Sequence, residues 1–203
     1  MTETSSTDPT RIAELVASRL CHDLINPVGA IGNGVELMQS TLPPSPELEL
    51  LSESAATASA KIRLFRIAFG AASASETVEA RVLAEILAGA YRGGRIEIDW
   101  PPQPLHRTEA RLMLLAVMCA ESALPLGGRM RVETGEGAVT IAVEARRTRF
   151  ETEPWAHLID GVALAECRSA LVHFPFARSL LAAAGRRARL EETPAGFTLS
   201  FAG

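Results

Sequence analysis

Apolar residues recur at three- and four-residue steps through the N-terminal part of the chain, which is the spacing of one face of an α-helix. This stripe consists of Ile12, Val16, Leu20, Leu24, Val28, Ile31, Val35 and Met38. Asp8 before Pro9 is typical of a helix cap and first turn, and the periodicity stops near Ser40. The pattern predicts one long helix whose apolar stripe points inward.

A second helix is predicted directly after the first. Residues 41–44 form a short stop, and Ser45-Pro46-Glu47 then combines a cap, a proline and an acid. Because so short a loop makes consecutive helices antiparallel, residues 8–72 are predicted to form a helical hairpin. Two apolar stripes cover only part of each other. We therefore expect a homodimer in which two hairpins make a four-helix bundle.

Helical and strand patterns alternate after a small, polar linker at residues 71–76. Helices are predicted at 78–91, 108–124 and 175–184, and strands at 95–100, 129–134, 138–144, 187–192 and 196–201. This order predicts an α/β sandwich over residues 77–203, with one mixed sheet and helices on a face. The chain as a whole is expected to be α+β.

Composition narrows the classes of function. The 203 residues carry a formal charge of −4 and no long basic run, which argues against nucleic-acid binding. No stretch reaches about 18 apolar residues, and the polar N-terminus lacks the apolar core of a signal peptide, so a cytoplasmic protein without membrane contact is expected. Cys21, Cys119 and Cys167 are too far apart for a disulfide framework or a zinc spacing and are expected to be reduced.

His22 is the first candidate for chemistry. At about 100° per residue it lies roughly 170° from the centre of the apolar stripe and is predicted to face solvent. Ser18, Gly29 and Asn33 share its side of the helix, and Pro27 is expected to bend the helix one turn later. A lone exposed histidine is usually only a solvated polar residue, so position alone leaves its role open.

Glycines beyond His22 weaken the helix. Gly29, Gly32 and Gly34 each cost up to about 1 kcal/mol relative to alanine in a helix interior. Either close packing between helices or docking of a partner backbone would account for them.

The stretch His22-Asp23-Leu24-Ile25-Asn26-Pro27 resembles the phosphorylated H-box of bacterial sensor histidine kinases. The longer string 18–38 is closer to the ChpT family of histidine phosphotransferases. This resemblance implies a kinase-like dimerisation hairpin followed by a degenerate ATPase-like domain. It implies that His22 accepts and donates the phosphoryl group and that Asp23 holds its ring tautomer. Asn26 is expected to orient a polar atom or a water molecule one turn on.

The resemblance also implies the partners: the receiver domain of an upstream hybrid histidine kinase and downstream response regulators. A set of residues on or near the His22 side is expected to contact them. These residues are Arg19, Ile25, Gly29, Asn33 and Lys61. Lys61, the only lysine, and Arg63 lie about as far after the loop as His22 lies before it. One or both are expected near the level of His22 in the hairpin, where either would steady a phosphoryl charge. The alternative for Lys61, a plain exposed cation, stays open.

The second domain departs from the family of ATP-binding kinases at each nucleotide box. Two magnesium-coordinating asparagines of that family correspond to Leu115 and Cys119, which supply no oxygen ligand. Residues 146–151 lack the adenine-binding aspartate and its glycines, and residues 171–176 lack a glycine-rich phosphate loop. We therefore expect neither ATP nor any other cofactor, and magnesium only in the partner receiver.

Two alternatives from other classes remain: an active histidine kinase, and a non-catalytic dimeric adaptor for response regulators. The basic cluster Arg146, Arg147 and Arg149 is interpreted as a solvated loop or a contact for an acidic partner. The other histidines have no metal-ligand spacing and are expected in loop-like segments as structural or surface residues. They are His106, His157 and His173.

Overall fold

A computed structural model describes residues 9–71, 76–135 and 137–203. Two long helices, α1 (Pro9–Thr41) and α2 (Pro46–Phe69), form the predicted antiparallel hairpin. Asp8 and most of the predicted linker lie outside the described residues. The predicted cap of the second helix is present, since the Ser45 hydroxyl accepts a hydrogen bond from the backbone N–H of Leu48 at 3.3 Å. Pro27 lies inside α1 and does not end it.

The second domain contains four further α-helices and seven strands in its described residues. The helices are α3 (Ala80–Ala90), α4 (Arg107–Ser122), α5 (Thr152–Asp160) and α6 (His173–Ala183), with a short 3-10 turn at Ser169–Leu171. The strands are β1 (Thr77–Val78), β2 (Ile96–Asp99), β3 (Leu105–His106), β4 (Gly128–Gly135), β5 (Ala138–Glu144), β6 (Arg187–Thr193) and β7 (Gly196–Ala202). Each of the predicted helices and strands is present within a few residues.

Five strands form one mixed sheet in the order β2-β4-β5-β7-β6, and β1 pairs separately with β3. Strand β2 runs parallel to β4, whereas the other neighbours are antiparallel. Alternate residues of the central strands face the helices and are fully buried, which is the period-two pattern of a half-covered sheet. The predicted sandwich of one sheet with helices on a face is confirmed.

The hairpin does not stand apart from this core. Ala60, Leu64 and Ile67 of α2 belong to the same cluster of buried residues as the α3 and α4 side chains. Helices α2 and α3 approach closely at Gly89, where an added Cβ would lie 2.7 Å from that of Ala60. Because the core is continuous, the boundaries 8–72 and 77–203 stay predictions.

The apolar stripe of α1 points elsewhere than predicted. Within one chain Val16, Leu20, Leu24 and Ile31 are 50–58% exposed, so the expectation that the stripe turns inward is wrong. Val35 is the one stripe residue that is buried, at the edge of the stripe towards Cys21 and Glu14, the other two buried residues of α1. The physical reason is that helix α2 covers only one side of α1, leaving most of the apolar side without a partner among the described residues of the chain. None of the helices in the described ranges combines the length and apolarity needed to cross a bilayer.

Candidate functional site

His22 lies on the solvent-facing side of α1, as predicted, with 69% of its side chain exposed. Its Nδ1 is 3.1 Å from Oδ1 of Asp23. A carboxylate only accepts hydrogen bonds, so this contact favours the tautomer in which Nδ1 carries the proton. In that tautomer Nε2 keeps its lone pair and is the nucleophilic atom of the ring.

Arg19 holds the other side of the Asp23 carboxylate. Its Nε donates to Oδ2 of Asp23 at 2.7 Å, one helical turn away along α1. The hydrogen bond with His22, followed by the contact with Arg19, lowers the pKa of Asp23. Asp23 therefore stays ionised and is engaged from both sides. The sequence interpretation placed Arg19 only in a partner-binding role, and the contact with Asp23 was missed.

The remaining predicted residues of α1 lie around His22. At about 100° per residue, Asn26, Gly29 and Asn33 fall within about 40° of it. Asn26 and Asn33 are exposed, while Ile25 and Gly29 are half-buried. An added Cβ at Gly29 would meet no atom of the described residues within 4 Å, and the same holds for Gly32 and Gly34. Close packing against the described part of this chain therefore does not account for these glycines.

Lys61 occupies a different environment from the one expected. It lines a cleft of about 290 Å³ between α2 and the second domain, together with Tyr91, Glu121 and His173. The basic residue of α2 that acts electrostatically on Cys21, next to His22, is Arg66. Arg66 lies five residues beyond Lys61, or about 7.5 Å along the helix. Counting equal distances from the loop at 42–45 leads to residue 65, directly before Arg66.

The positions that correspond to nucleotide ligands are filled by core packing. Leu115 and Cys119 are fully buried, and burial raises the pKa of the Cys119 thiol well above its usual range. Phe174, in the segment where a phosphate loop was sought, packs edge-on against Trp155 with ring centroids 5.2 Å apart. Phe150, in the segment of the adenine box, contacts Trp155 at 5.1 Å. These two segments are joined by aromatic side chains.

The other histidines belong to structured elements. His106 ends β3, and the expectation of loops was wrong for His157 and His173, which lie in α5 and α6. His157 bonds the carbonyl of Val162 through Nδ1 at 2.7 Å. Arg146, Arg147 and Arg149 are exposed, in agreement with a solvated loop. Across the described residues, no three His, Cys, Asp or Glu side chains cluster in a way that would hold a metal ion.

Comparison with known proteins gives three findings. The family model of the histidine phosphotransferase C-terminal domain matches residues 80–196. The protein phosphotransferase ChpT of Brucella abortus strain 2308 is 34% identical over 146 residues, which are 68% of this chain and 69% of that protein. A solved structure described as a bacterial phosphotransferase is similar over 99% of this chain and 98% of its own, with a TM-score of 0.67 and 25% identity.

Proposed function

This chain belongs to the ChpT-type histidine phosphotransferases, and from that premise we propose that His22 carries the phosphoryl group in transfer between proteins of a phosphorelay. The observation behind this assignment is the contact between Nδ1 of His22 and the Asp23 carboxylate on an exposed helix face. This contact supports a defined tautomer of His22 in which Nδ1 carries the proton and the nucleophilic Nε2 does not.

In the proposed reaction, the lone pair of Nε2 attacks the phosphorus of an acyl phosphate on a receiver aspartate. A P–N bond forms, the P–O bond to the aspartate breaks, and the carboxylate leaves with the electron pair. The phosphorylated ring retains its proton on Nδ1 and therefore carries positive charge. Asp23 stabilises that charge across the 3.1 Å contact. Attack by a second receiver's aspartate then releases a neutral imidazole, which is a good leaving group.

Arg19 and Asn26 take supporting roles in this proposal. Arg19 fixes the carboxylate of Asp23 so that Oδ1 faces the ring. Asn26, exposed one turn after His22, is placed to orient a polar atom or a water molecule at the transferring group. Transfer of this kind depends mainly on positioning and charge neutralisation.

The proposed partners are the receiver domain of an upstream hybrid histidine kinase and downstream response regulators. Gly29 and Asn33 lie on the His22 side of α1, where the absence of a large side chain at Gly29 leaves room for a docking backbone. Ile25 is proposed to contact the same partner at its exposed edge. Lys61 is a weaker member of this surface, since it faces the cleft beside Tyr91 and Glu121. We assign magnesium to the receiver and none to this chain.

We propose that the second domain does not use ATP. Buried Leu115 and Cys119 in place of ligands, and aromatic packing at Phe150 and Phe174, support this view. The dimer and a cytoplasmic location are proposals as well. The exposed stripe on α1 supports the dimer, and three free cysteines agree with a reducing compartment.

The test is incubation with a phosphorylated receiver, with and without ATP, comparing wild type with His22→Ala. We expect labelling of the wild type that does not depend on ATP, and no labelling of His22→Ala. His106→Ala, which removes an exposed histidine in the second domain, is the matched control and should label normally. Labelling from ATP alone would identify a kinase, and receiver binding without any labelling would identify an adaptor. Transfer that persists in His22→Ala would exclude the assignment.

A further inference from the structure

A buried ion pair joins the hairpin to the second domain about two helical turns before His22 on α1. Glu14 of α1 and Arg111 of α4 are 97 residues apart in sequence, and Nη2 of Arg111 lies 2.8 Å from Oε1 of Glu14. Both residues are buried, with 8% and 4% of their surface exposed. The second oxygen of Glu14 accepts from Arg11 at 3.1 Å, so both carboxylate oxygens are used. The carboxylate of Glu14 is therefore fixed from two directions.

Arg111 is held by further contacts within this junction. Its Nε donates to the carbonyl of Ala68 at 3.4 Å, and its guanidinium lies 5.3 Å from the ring centroid of Phe176. It thus contacts both helices of the hairpin and α6 of the second domain at once. Such a side chain defines the relative position of the three elements more narrowly than apolar packing alone.

Arg107, one turn before Arg111 on α4, makes a second set of contacts between the domains. Its Nη2 donates to the carbonyl of Arg66 at 2.9 Å, and its Nη1 lies 3.2 Å from Oε1 of Glu76. Its backbone N–H also donates to the carbonyl of Glu76 at 2.8 Å. The end of α2 and the start of the second domain are therefore both attached to α4.

Ser18 brings this junction within one turn of His22. The Ser18 hydroxyl accepts a hydrogen bond from the backbone N–H of Ala71 at 3.0 Å. An added Cβ at Gly70 would lie 3.0 Å from the same hydroxyl, so the chain leaving α2 passes close against α1. Ser18 precedes His22 by about 6 Å along the helix and lies on its side of α1. A protein that reaches His22 approaches the place where the second domain begins.

We propose that Glu14, Ser18 and Arg111 are positioning residues that fix the second domain against the N-terminal part of α1. They thereby determine how a receiver domain can approach His22. This inference rests on the proposed function of His22. A buried ion pair contributes little net stability compared with apolar packing, but it strongly disfavours arrangements that separate its charges. Its effect here is to select one domain orientation.

The experiment compares wild type with Glu14→Gln, which keeps the shape of the side chain and removes its charge. Glu85→Gln is the matched control, because Glu85 forms an exposed ion pair with Arg81 on α3. Ser18→Ala is a second variant that loosens the junction without leaving a buried charge unpaired. Each protein is assayed with a phosphorylated receiver and with phosphoramidate, a small donor whose P–N bond breaks to release ammonia as Nε2 is phosphorylated.

We expect Glu14→Gln to raise the KM for the receiver by about tenfold, with kcat changed by less than about twofold. Labelling by phosphoramidate should be unchanged, since a small donor needs no docking surface. Hydrogen exchange of the Ala71 amide should accelerate by about tenfold or more in the same variant. Ser18→Ala should shift KM and exchange in the same direction, and Glu85→Gln should match wild type.

Two results would overturn the inference: an unchanged receiver KM in Glu14→Gln, with or without faster exchange at Ala71, or a parallel fall of phosphoramidate labelling. The first would show that receiver approach does not depend on the ion pair. The second would show an effect on His22 itself or on folding. A parallel His22→Ala sample shows separately whether the proposed function fails. Persistent labelling of that variant would exclude His22 as the phosphorylated residue, while hydrogen exchange of the Ala71 amide would still report on the junction.

Discussion

At the scale of single residues, the site depends on orientation more than on interaction strength. Arg19, Asp23 and His22 are all substantially exposed, and contacts between exposed charges contribute little to stability. Their effect is to order two hydrogen bonds in series, with Arg19 fixing Asp23 and Asp23 fixing the imidazole. We infer that, in the proposed transfer, Asp23 acts through the tautomer it selects and through the charge it would offer to a phosphorylated ring.

Asp23→Asn tests this inference directly. An asparagine side chain no longer carries the negative charge that attracts an Nδ1 proton, so a larger share of His22 should carry its proton on Nε2. We expect phosphoryl transfer to slow by about tenfold. Imidazole ¹⁵N chemical shifts measured at neutral pH should report the change of tautomer in the same sample.

Glu36→Gln is the control, because Glu36 is an exposed acid on the same helix. It should leave both the rate and the His22 ¹⁵N shifts as in wild type. If wild-type His22 already carries its proton mainly on Nε2, or if Asp23→Asn transfers at the wild-type rate, Asp23 does not act through the tautomer.

At the scale of elements, sequence periodicity was sufficient where an element is long and buried on one side. Helix α3 and strands β4, β5 and β7 repeat their buried residues over several turns or alternations, and their bounds were predicted within a few residues. Helix α5 has only nine residues, and β1 and β3 have two each. Segments this short contain too few residues to show a repeating apolar pattern, and the sequence therefore did not indicate these elements.

Helix α6 begins with a histidine whose burial its sequence does not indicate. His173, at its start, is buried beside Phe174, and burial lowers its pKa from 6.5 to about 4. The unfolded chain therefore binds a proton at His173 between about pH 6.5 and pH 4, whereas the folded chain does not. Protons favour the unfolded state in this range, so the stability contributed by neutral His173 is lost as the pH falls.

The expected size of this effect is about 2 kcal/mol in the free energy of unfolding between pH 7 and pH 5. Urea unfolding at the two pH values measures it. His173→Phe keeps a ring at this site and removes the titrating group. Between pH 7 and pH 5 its free energy of unfolding should therefore fall by about 2 kcal/mol less than that of wild type. Equal pH dependence in wild type and His173→Phe would show that His173 is already protonated, or exposed, in the folded protein.

At the scale of the whole molecule, α1 has three sides with different tasks. One side contacts α2 and the second domain through Cys21, Val35 and Glu14, and a second side presents His22. The third is apolar and exposed. Sequence alone identified the His22 side, because it is defined by the helix's own periodicity. The Glu14 contact depends on Arg111, 97 residues away, and no local pattern indicates it.

The exposed third side leads to the last prediction, which concerns assembly. Leu20, Leu24 and Ile31 form a continuous apolar strip along α1, and soluble monomers rarely leave such a strip in water. If two chains pair through it, their hairpins form a four-helix bundle with His22 on the outside, because His22 lies opposite the strip.

Sedimentation should then give twice the chain mass for wild type and a single chain mass for Ile31→Glu combined with Met38→Glu. Leu126→Glu, which charges an exposed leucine of the second domain, is the matched control and should remain a dimer. Phosphoramidate should still label His22 in the monomeric variant, because the Arg19–Asp23–His22 series lies within one helix. A monomeric wild type, or a dimer that survives both charges, would place the interface elsewhere.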